Sequence, residues 1–346
     1  MRVLDNLDSL AHPVGGPPPL LDEEVEFLRG TLESPRDVAG ALEGVDRVFH
    51  LGGAVGNGES MMNVRRAVDA NCGGTATLLE ALATRRDQVR RLVVASSMVV
   101  YGEGTYACPA HGEVKPAARP VEQLRRRDWE PRCPSCREPV EHVPAREEHA
   151  LRPVSVYGVT KRDQEELALV LGGAYGFEAV VLRYLNVYGP GQALGNPYTG
   201  VAAIFAARVL NGRRPLVFED GRQLRDLVHV SDAVRATLAA MDAPGTSGRA
   251  INVAAGGRVE IGELARALAR ALGREDLEPE LPSEFRVGDI RHCLAETARA
   301  RELLGFEAQT ELSEGLPELA EWVAREGVTE RGDEALAELR ARRLVG

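Results

Sequence analysis

Tyr157 and Lys161 stand four residues apart in Tyr-Gly-Val-Thr-Lys, and Ser97 closes the apolar run Val93-Val94-Ala95-Ser96-Ser97. On a helix, that spacing puts the phenol and the ammonium on one face, one above the other. A neighbouring ammonium favours phenolate over phenol, so Lys161 is expected to draw Tyr157 down from the usual tyrosine pKa near ~10. A drop of about 3 units, roughly 4 kcal/mol, would make the phenol a working acid and base near neutrality. Ser97, at the end of a β-like run, is placed to offer its hydroxyl to the same substrate oxygen. Together the three groups suit interconversion of an alcohol and a ketone.

A tyrosine and a lysine at this spacing are common on helix surfaces, where a solvated lysine lies beside a half-buried tyrosine. The pair gains meaning from the elements around it. Residues 45–51 read as a buried parallel strand that runs into His50-Leu51-Gly52-Gly53-Ala54. Residues 88–96 form the next strand, followed by Ser97-Met98-Val99-Val100-Tyr101-Gly102. Helices are expected over residues 34–42, started by Ser34-Pro35, over 63–83 and, carrying the Tyr/Lys pair, over 151–172. Residues 25–28 and 178–185 read as further strands. Strands alternating with helices imply an α/β protein with a parallel sheet covered on both faces. Beyond residue 186 the pattern loosens. A helix at 201–211, a strand at 225–230, a helix capped by Ser231-Asp232, a strand at 251–253 and a helix at 261–272 precede charged amphipathic helices over 315–345.

These motifs, with Val180-Val181-Leu182-Arg183-Tyr184-Leu185-Asn186-Val187-Tyr188-Gly189-Pro190-Gly191 after the Tyr/Lys helix, resemble the extended short-chain dehydrogenase/reductase family. Within it, the nucleotide-sugar 4-epimerases of the NAD-dependent epimerase/dehydratase group are most similar. The resemblance spans nearly the whole chain. It implies a Rossmann-like, doubly wound parallel sheet over residues 1–185 that binds NAD. A smaller α/β substrate lobe is implied over 186–346, with Rossmann elements returning near 225–255. It implies that Tyr157, Ser97 and Lys161 are catalytic and that Asp5, Asn6, Leu51, Gly52, Gly53, Tyr157 and Lys161 contact NAD. Ser97, Asn186, Arg225 and Arg286 would hold an NDP-hexose, the two arginines on its diphosphate. Asn71 matches an asparagine that braces the active-site backbone. Helices 63–83 and 151–172 would pair across a homodimer interface. Asp226 and Asp289 are read as structural partners of their segments, His229 as a buried strand residue and His50 as a packing residue at least as much as a cofactor contact.

Three departures from the family pattern matter. Arg2-Val3-Leu4-Asp5-Asn6-Leu7 resembles the second strand of the Rossmann unit, and the first strand, its glycine-rich turn and the first helix do not precede it. A start placed inside the second strand accounts for this, and the chain is then expected to bind NAD weakly; a non-catalytic family member is the other explanation. Thr31, in Gly30-Thr31-Leu32, stands where the family has an aspartate for the adenine amino group. After Ser97, Met98 and Val99 occupy positions where the 4,6-dehydratases carry an Asp-Glu pair and the decarboxylases a glutamate. Neither can transfer a proton, so 4-epimerisation and 4-ketoreduction remain.

Residues 105–149 interrupt the Rossmann pattern. They contain Cys108-Pro-Ala-His111 and Cys133-Pro-Ser-Cys136, two pairs whose spacing matches the ligands of a tetrahedral structural zinc site. A Pro-rich insertion without a core of its own needs such a staple; incidental reduced cysteines are the alternative. Cys72 and Cys293 read as isolated packing thiols.

Composition agrees with a globular enzyme. The 346 residues are 44% hydrophobic, enough for one large core or two adjoining ones. A formal net charge of −10 argues against nucleic-acid or anionic-membrane partners. No apolar run is long enough to span a bilayer, and five cysteines do not make a secreted disulfide framework. A cytoplasmic setting is expected.

Overall fold

The computed structural model of the protein describes residues 1–12, 21–194, 200–327 and 332–346. Its strands are β1 (Arg2–Asp5), β2 (Glu26–Arg29), β3 (Arg47–His50), β4 (Arg91–Ser97), β5 (Thr105–Cys108), β6 (Gly112–Val114), β7 (Glu141–Val143), β8 (Glu178–Tyr184), β9 (Asn186–Tyr188), β10 (Leu224–Arg225), β11 (Leu227–His229), β12 (Arg249–Val253) and β13 (Val259–Glu260). Its helices are α1 (Pro35–Ala41), α2 (Asn57–Met62), α3 (Val64–Val68), α4 (Gly74–Ala83), α5 (Val121–Arg125), α6 (Val156–Tyr175), α7 (Val201–Leu210), α8 (Val230–Asp242), α9 (Ile261–Ala271), α10 (Ala298–Leu304), α11 (Leu312–Glu326) and α12 (Gly332–Ala341).

Four parallel strands in the order β12-β8-β4-β3 form the central sheet. Successive side chains on a strand point to opposite faces. Leu92, Val94, Ala179 and Val181 therefore meet Val38 of α1, Leu78 and Leu82 of α4 and Ala168 of α6. Val93, Val180, Leu182 and Ile251 meet Ala236 and Ala240 of α8 and Ala300 of α10 on the other face. Burial on both faces is why these strands read as unbroken apolar runs. A second core gathers Phe205 of α7, Leu264 and Leu268 of α9 and Leu319 and Trp322 of α11.

The sheet is interrupted where the resemblance leads one to expect it. Strand β1 pairs only with β2, in parallel, and shares no ladder with β3. Leu4, Leu32 and Val48 nevertheless pack on the same core as α1 and α4, so both pieces belong to one body. Phe49 is 37% and Leu51 59% exposed at the open end of β3. Among the described residues, no strand bonds to the free edges of β1 and β3.

Several boundaries differ from the sequence expectation. The helix expected over 63–83 is α3, a π-turn at Asp69–Gly73 and α4; the wider turn admits an extra residue and re-aims Asn71. The Tyr/Lys helix begins at Val156, because extended Ser155 caps it by accepting from Gly158 N–H at 3.1 Å. The strand expected over 225–230 is split at Asp226 into β10 and β11. Helix α8 is capped by His229, whose Nδ1 accepts from Ser231 N–H, rather than by Ser231-Asp232. The insertion is not coreless. Strands β6-β5-β7 make an antiparallel sheet over Tyr106, Cys108, Cys133 and Val140, and Leu124 and Trp129 pack on Phe285 of the main body.

Candidate functional site

Strand β4 ends at Ser97, and helix α6 opens with Tyr157 and carries Lys161 one turn later. The Ser97 side chain interacts with the Tyr157 phenol. Lys161 is buried and its Nζ donates to the Ala95 carbonyl at 2.8 Å, tying α6 to the same strand end. Asn71, fully buried, accepts from Ala54 N–H at 2.6 Å and donates to Ala54 O at 3.0 Å and Thr160 Oγ1 at 2.8 Å. It thus braces the backbone after β3 against α6. A Cβ on Gly53 would come within 2.7 Å of Asn71 Oδ1, so only glycine fits beside this brace. Two further residues locate the start of α6. Ser60 Oγ accepts from Tyr157 N–H at 2.9 Å, and Ser155 donates to Asn57 Oδ1 at 2.9 Å. Neither Ser60 nor Asn57 carried a sequence signal; both lie on α2, a short helix without strong periodicity.

The electrostatics correct one expectation. Burial pushes Tyr157 up to about 12, and only the Ser97 hydrogen bond works the other way. Burial pushes Lys161 down to about 8. In the protein alone the lysine therefore does not acidify the phenol: loss of water raises it, and the ammonium donates to the Ala95 carbonyl instead. His50, held by Thr75 Oγ1 at 2.8 Å and Gln164 Nε2 at 3.1 Å, is pushed down to about 3 by burial and then by Lys161. It is a neutral packing residue.

The Lys161 shift predicts a pH dependence. Its folded pKa of about 8 lies below the ordinary 10.5, so the unfolded chain binds more protons between the two, and stability rises with pH across that window. Lys161→Met is expected to abolish this rise and to stabilise the fold at pH 7 by roughly 1–3 kcal/mol, net of the lost hydrogen bond. Urea unfolding of parent and variant at pH 7 and pH 9.5 checks it; equal slopes would refute it.

Two cavities lie next to this centre, one reaching Met98 and Ser155 and the other Gly53 and Ala54, and Ser97, Tyr157 and Lys161 themselves line neither. One of about 240 Å³ is lined by Asp5, Asn6, Thr31, Leu51, Gly52 and Gly53, uniting the ends of β1, β2 and β3. Asp5 Oδ1 accepts from Leu7 N–H at 2.7 Å, and Arg66 at the rim pairs with Asp8 at 2.8 Å and Glu59 at 2.6 Å. The other, about 250 Å³, is lined by Met98, Asn186, Arg225, Arg286 and Asp289 among others. Asn186 Oδ1 and Arg286 Nε are buried without a partner. Arg286 lies over the Phe218 ring at 4.9 Å and pairs with Asp289 at 2.9 Å. Arg225 donates to the carbonyls of Leu224, Arg291 and Ile290 at 2.9–3.0 Å, which leaves two of its five N–H donors for a ligand. Asp226 accepts from Ala255 and Gly256 N–H, both at 2.9 Å, and is structural as expected; burial pushes it up to about 6.

In the insertion, Cys108, His111, Cys133 and Cys136 converge, their ligand atoms all within 4.8 Å of one another. Cys108 Sγ lies 3.7 Å from Cys136 Sγ and 3.4 Å from His111 Nδ1, and Cys133 Sγ lies 3.6 Å from that nitrogen. Cys72 and Cys293 lie outside the cluster.

The profile of the NAD dependent epimerase/dehydratase family matches residues 5–123 and 135–254. The chain is 30% identical to a dTDP-L-rhamnose 4-epimerase of Burkholderia thailandensis over 94% of this chain and 88% of that protein. Among solved structures it is similar to a UDP-glucose 4-epimerase of Thermotoga maritima with UDP-glucose, with a TM-score of 0.76, 28% identity and coverage of 94% of this chain and 91% of that one. A UDP-glucose 4-epimerase of Thermus thermophilus in complex with NAD gives a TM-score of 0.71, 25% identity and the same coverage. With the parallel sheet, the centre at the end of β4 and matches spanning both cavities, the chain belongs to the NAD dependent epimerase/dehydratase family, in its nucleotide-sugar 4-epimerase-like branch.

Proposed function

We propose that the protein is an NAD-dependent nucleotide-sugar 4-epimerase. The observation that carries this reading is the meeting of Ser97, Tyr157 and Lys161 beside a cavity lined by Asn186, Arg225 and Arg286. The two arginines suit a diphosphate, which guanidinium groups recognise through charge-assisted pairs. Asn186 and Arg286 each keep a buried polar atom for a ligand to satisfy.

The first cavity fits two ends of a dinucleotide. Asp5 offers a carboxylate to ribose hydroxyls, and Gly52 and Gly53 line the wall where side chains would strike Leu32 and Asn71. When bound, NAD would accept and return a hydride at C4 of the sugar. Tyr157 takes the proton from the 4-hydroxyl as the ketone forms and gives it back after the sugar turns over. Ser97 hydrogen-bonds that oxygen in both states. Lys161 favours the phenolate once a ligand releases it from Ala95. Met98 and Val99 offer no proton at the sugar's C5 and C6, which speaks against elimination.

Incubation with NAD and a panel of UDP-glucose, UDP-glucuronate and dTDP-L-rhamnose, followed by proton NMR, tests this. The expected result is a C4 epimer of one panel member with no net NADH change. Stoichiometric reduction of NAD to NADH with release of a 4-keto sugar, the reverse of ketoreduction, would assign a 4-ketoreductase. Nucleotide-sugar binding without turnover would assign a non-catalytic family member.

Pairing of two copies through α3–α4 and α6 forms part of the same proposal, supported by the exposed Val64, Val68, Val159 and Val170 on those helices. Zinc at Cys108, His111, Cys133 and Cys136 is proposed as well. Zn–S bonds of about 2.3 Å and Zn–N bonds of about 2.0–2.1 Å give tetrahedral edges of roughly 3.8 Å for S–S and 3.5 Å for S–N. The measured edges of 3.7, 3.4 and 3.6 Å match them. Four protein ligands leave no open position, so the metal's role is structural.

A further inference from the structure

We propose that the metal-binding insertion positions the diphosphate-binding arginine, so that metal occupancy sets affinity for the nucleotide. This rests on the zinc and diphosphate readings above. The arm that aims Arg225 is residues 289–293, whose Ile290 and Arg291 carbonyls hold its guanidinium. That arm is held at Cys293 by backbone bonds to Leu224 and Asp226, and at its other residues largely by the insertion and the turn leading into it.

Glu130, three residues before the ligand Cys133, accepts from Arg291 Nε at 2.9 Å and Nη2 at 2.6 Å, and its other oxygen lies 3.0 Å from His292 Nε2. Arg119, also from the insertion, donates to the Asp289 carbonyl at 3.1 Å and to Glu219 at 2.9 Å. Glu219 in turn accepts from Arg291 at 2.8 Å. Glu103, at the entrance to the insertion, accepts from Arg291 N–H at 2.9 Å. Tyr106, fully buried two residues before Cys108, meets His142 edge-on at 5.2 Å and His292 at 6.4 Å. His292 Nδ1 accepts from Leu224 N–H at 3.1 Å, one residue before Arg225.

The routes from the Cys/His cluster thus converge on Arg291, whose carbonyl holds Arg225, and on His292, which accepts from Leu224 beside it. The insertion's own core is four buried side chains, two of them metal ligands. Without the metal, Tyr106 and the Cys133 end of the segment bearing Glu130 lose one anchor, which leaves that segment to Trp129 on Phe285 and to Gln123, and the aim of the arginine loosens. Such couplings between sites typically amount to about 5–150-fold in affinity.

The test uses the full chain with UDP as the probe, titrated by calorimetry, and zinc counted by mass spectrometry. The zinc-loaded parent is expected to hold one zinc and bind UDP. Chelation, or Cys133→Ser/Cys136→Ser, is expected to weaken UDP at least fivefold, with readded zinc restoring only the parent. Glu130→Ala, which leaves all four ligands and all cavity-lining residues in place, is expected to retain zinc and lose affinity similarly; it decides the matter should stripped protein unfold. Full UDP affinity in zinc-loaded Glu130→Ala, or in folded stripped protein, overturns the coupling alone. A parent that takes up no zinc overturns the metal reading with it, and a zinc-loaded parent that ignores UDP overturns the diphosphate reading as well.

Discussion

Tyr157→Phe is expected to lower kcat by about 10²–10⁴-fold on whichever nucleotide sugar the panel selects, with KM changed by less than about threefold. The ring stays and only the hydroxyl goes. The contacts that set the start of α6 use the Tyr157 backbone N–H and the Ser155 side chain, not the phenol. The fold is therefore kept, and the thermal midpoint should stay within a few degrees. What is lost is the one group placed beside Ser97 that can carry a proton to and from the sugar oxygen. Initial rates by NMR at saturating substrate check the result; a variant within tenfold of the parent would remove Tyr157 from the chemistry.

The same residue shows how far the sequence could be read. Spacing was enough to bring Tyr157, Lys161 and Ser97 to one strand end, because period 3.6 and period 2 patterns fix faces without tertiary information. It was not enough for the pKa of the phenol. That depends on how much water each group loses, a property of packing from α2, α4 and β4 that no local window contains. Lys161 was read as the cause of an acidic phenol, whereas burial pushes the phenol up and the lysine down.

The parallel sheet was legible because strands buried on both faces are long apolar runs, and its break was legible as a missing motif before Asp5. The π-turn at Asp69–Gly73 was not, since a single extra residue leaves the apolar pattern of the helix nearly unchanged. The insertion was half legible. Two Cys/His pairs announced a cluster, and the four atoms do converge. The charges around them did not: buried Arg119 and half-exposed Glu130 lie in an arginine-rich stretch that reads as solvated surface, and their partners Glu219 and Arg291 are 100 and 161 residues away.

Those charges carry the largest expected effect on stability. Arg291→Met is expected to destabilise the fold by about 3–5 kcal/mol at pH 7, the range for removing one partner of a buried ion pair. Arg291 is fully buried, and Glu130, Glu219 and Asp220 all accept from it. Methionine fills much of the space but neutralises nothing, so Glu219, itself buried, keeps only Arg119. A carboxylate stranded in this way is stabilised by protonation, so its folded pKa rises above the unfolded value. Stability tied to such a group is gained as pH falls. Glu130 moves the parent the opposite way. Burial would raise it, but hydrogen bonds from His292 and Arg291 win and hold it at about 2. The stability this contributes is present above the ordinary carboxylate pKa and is lost as pH falls below it. The gap between variant and parent is therefore expected to narrow from pH 7 to pH 3 in denaturant unfolding. A gap under 1 kcal/mol at pH 7, or one that widens on acidification, would show that the carboxylates find water once the arginine is gone, and that the cluster is a wet surface network rather than a buried lattice.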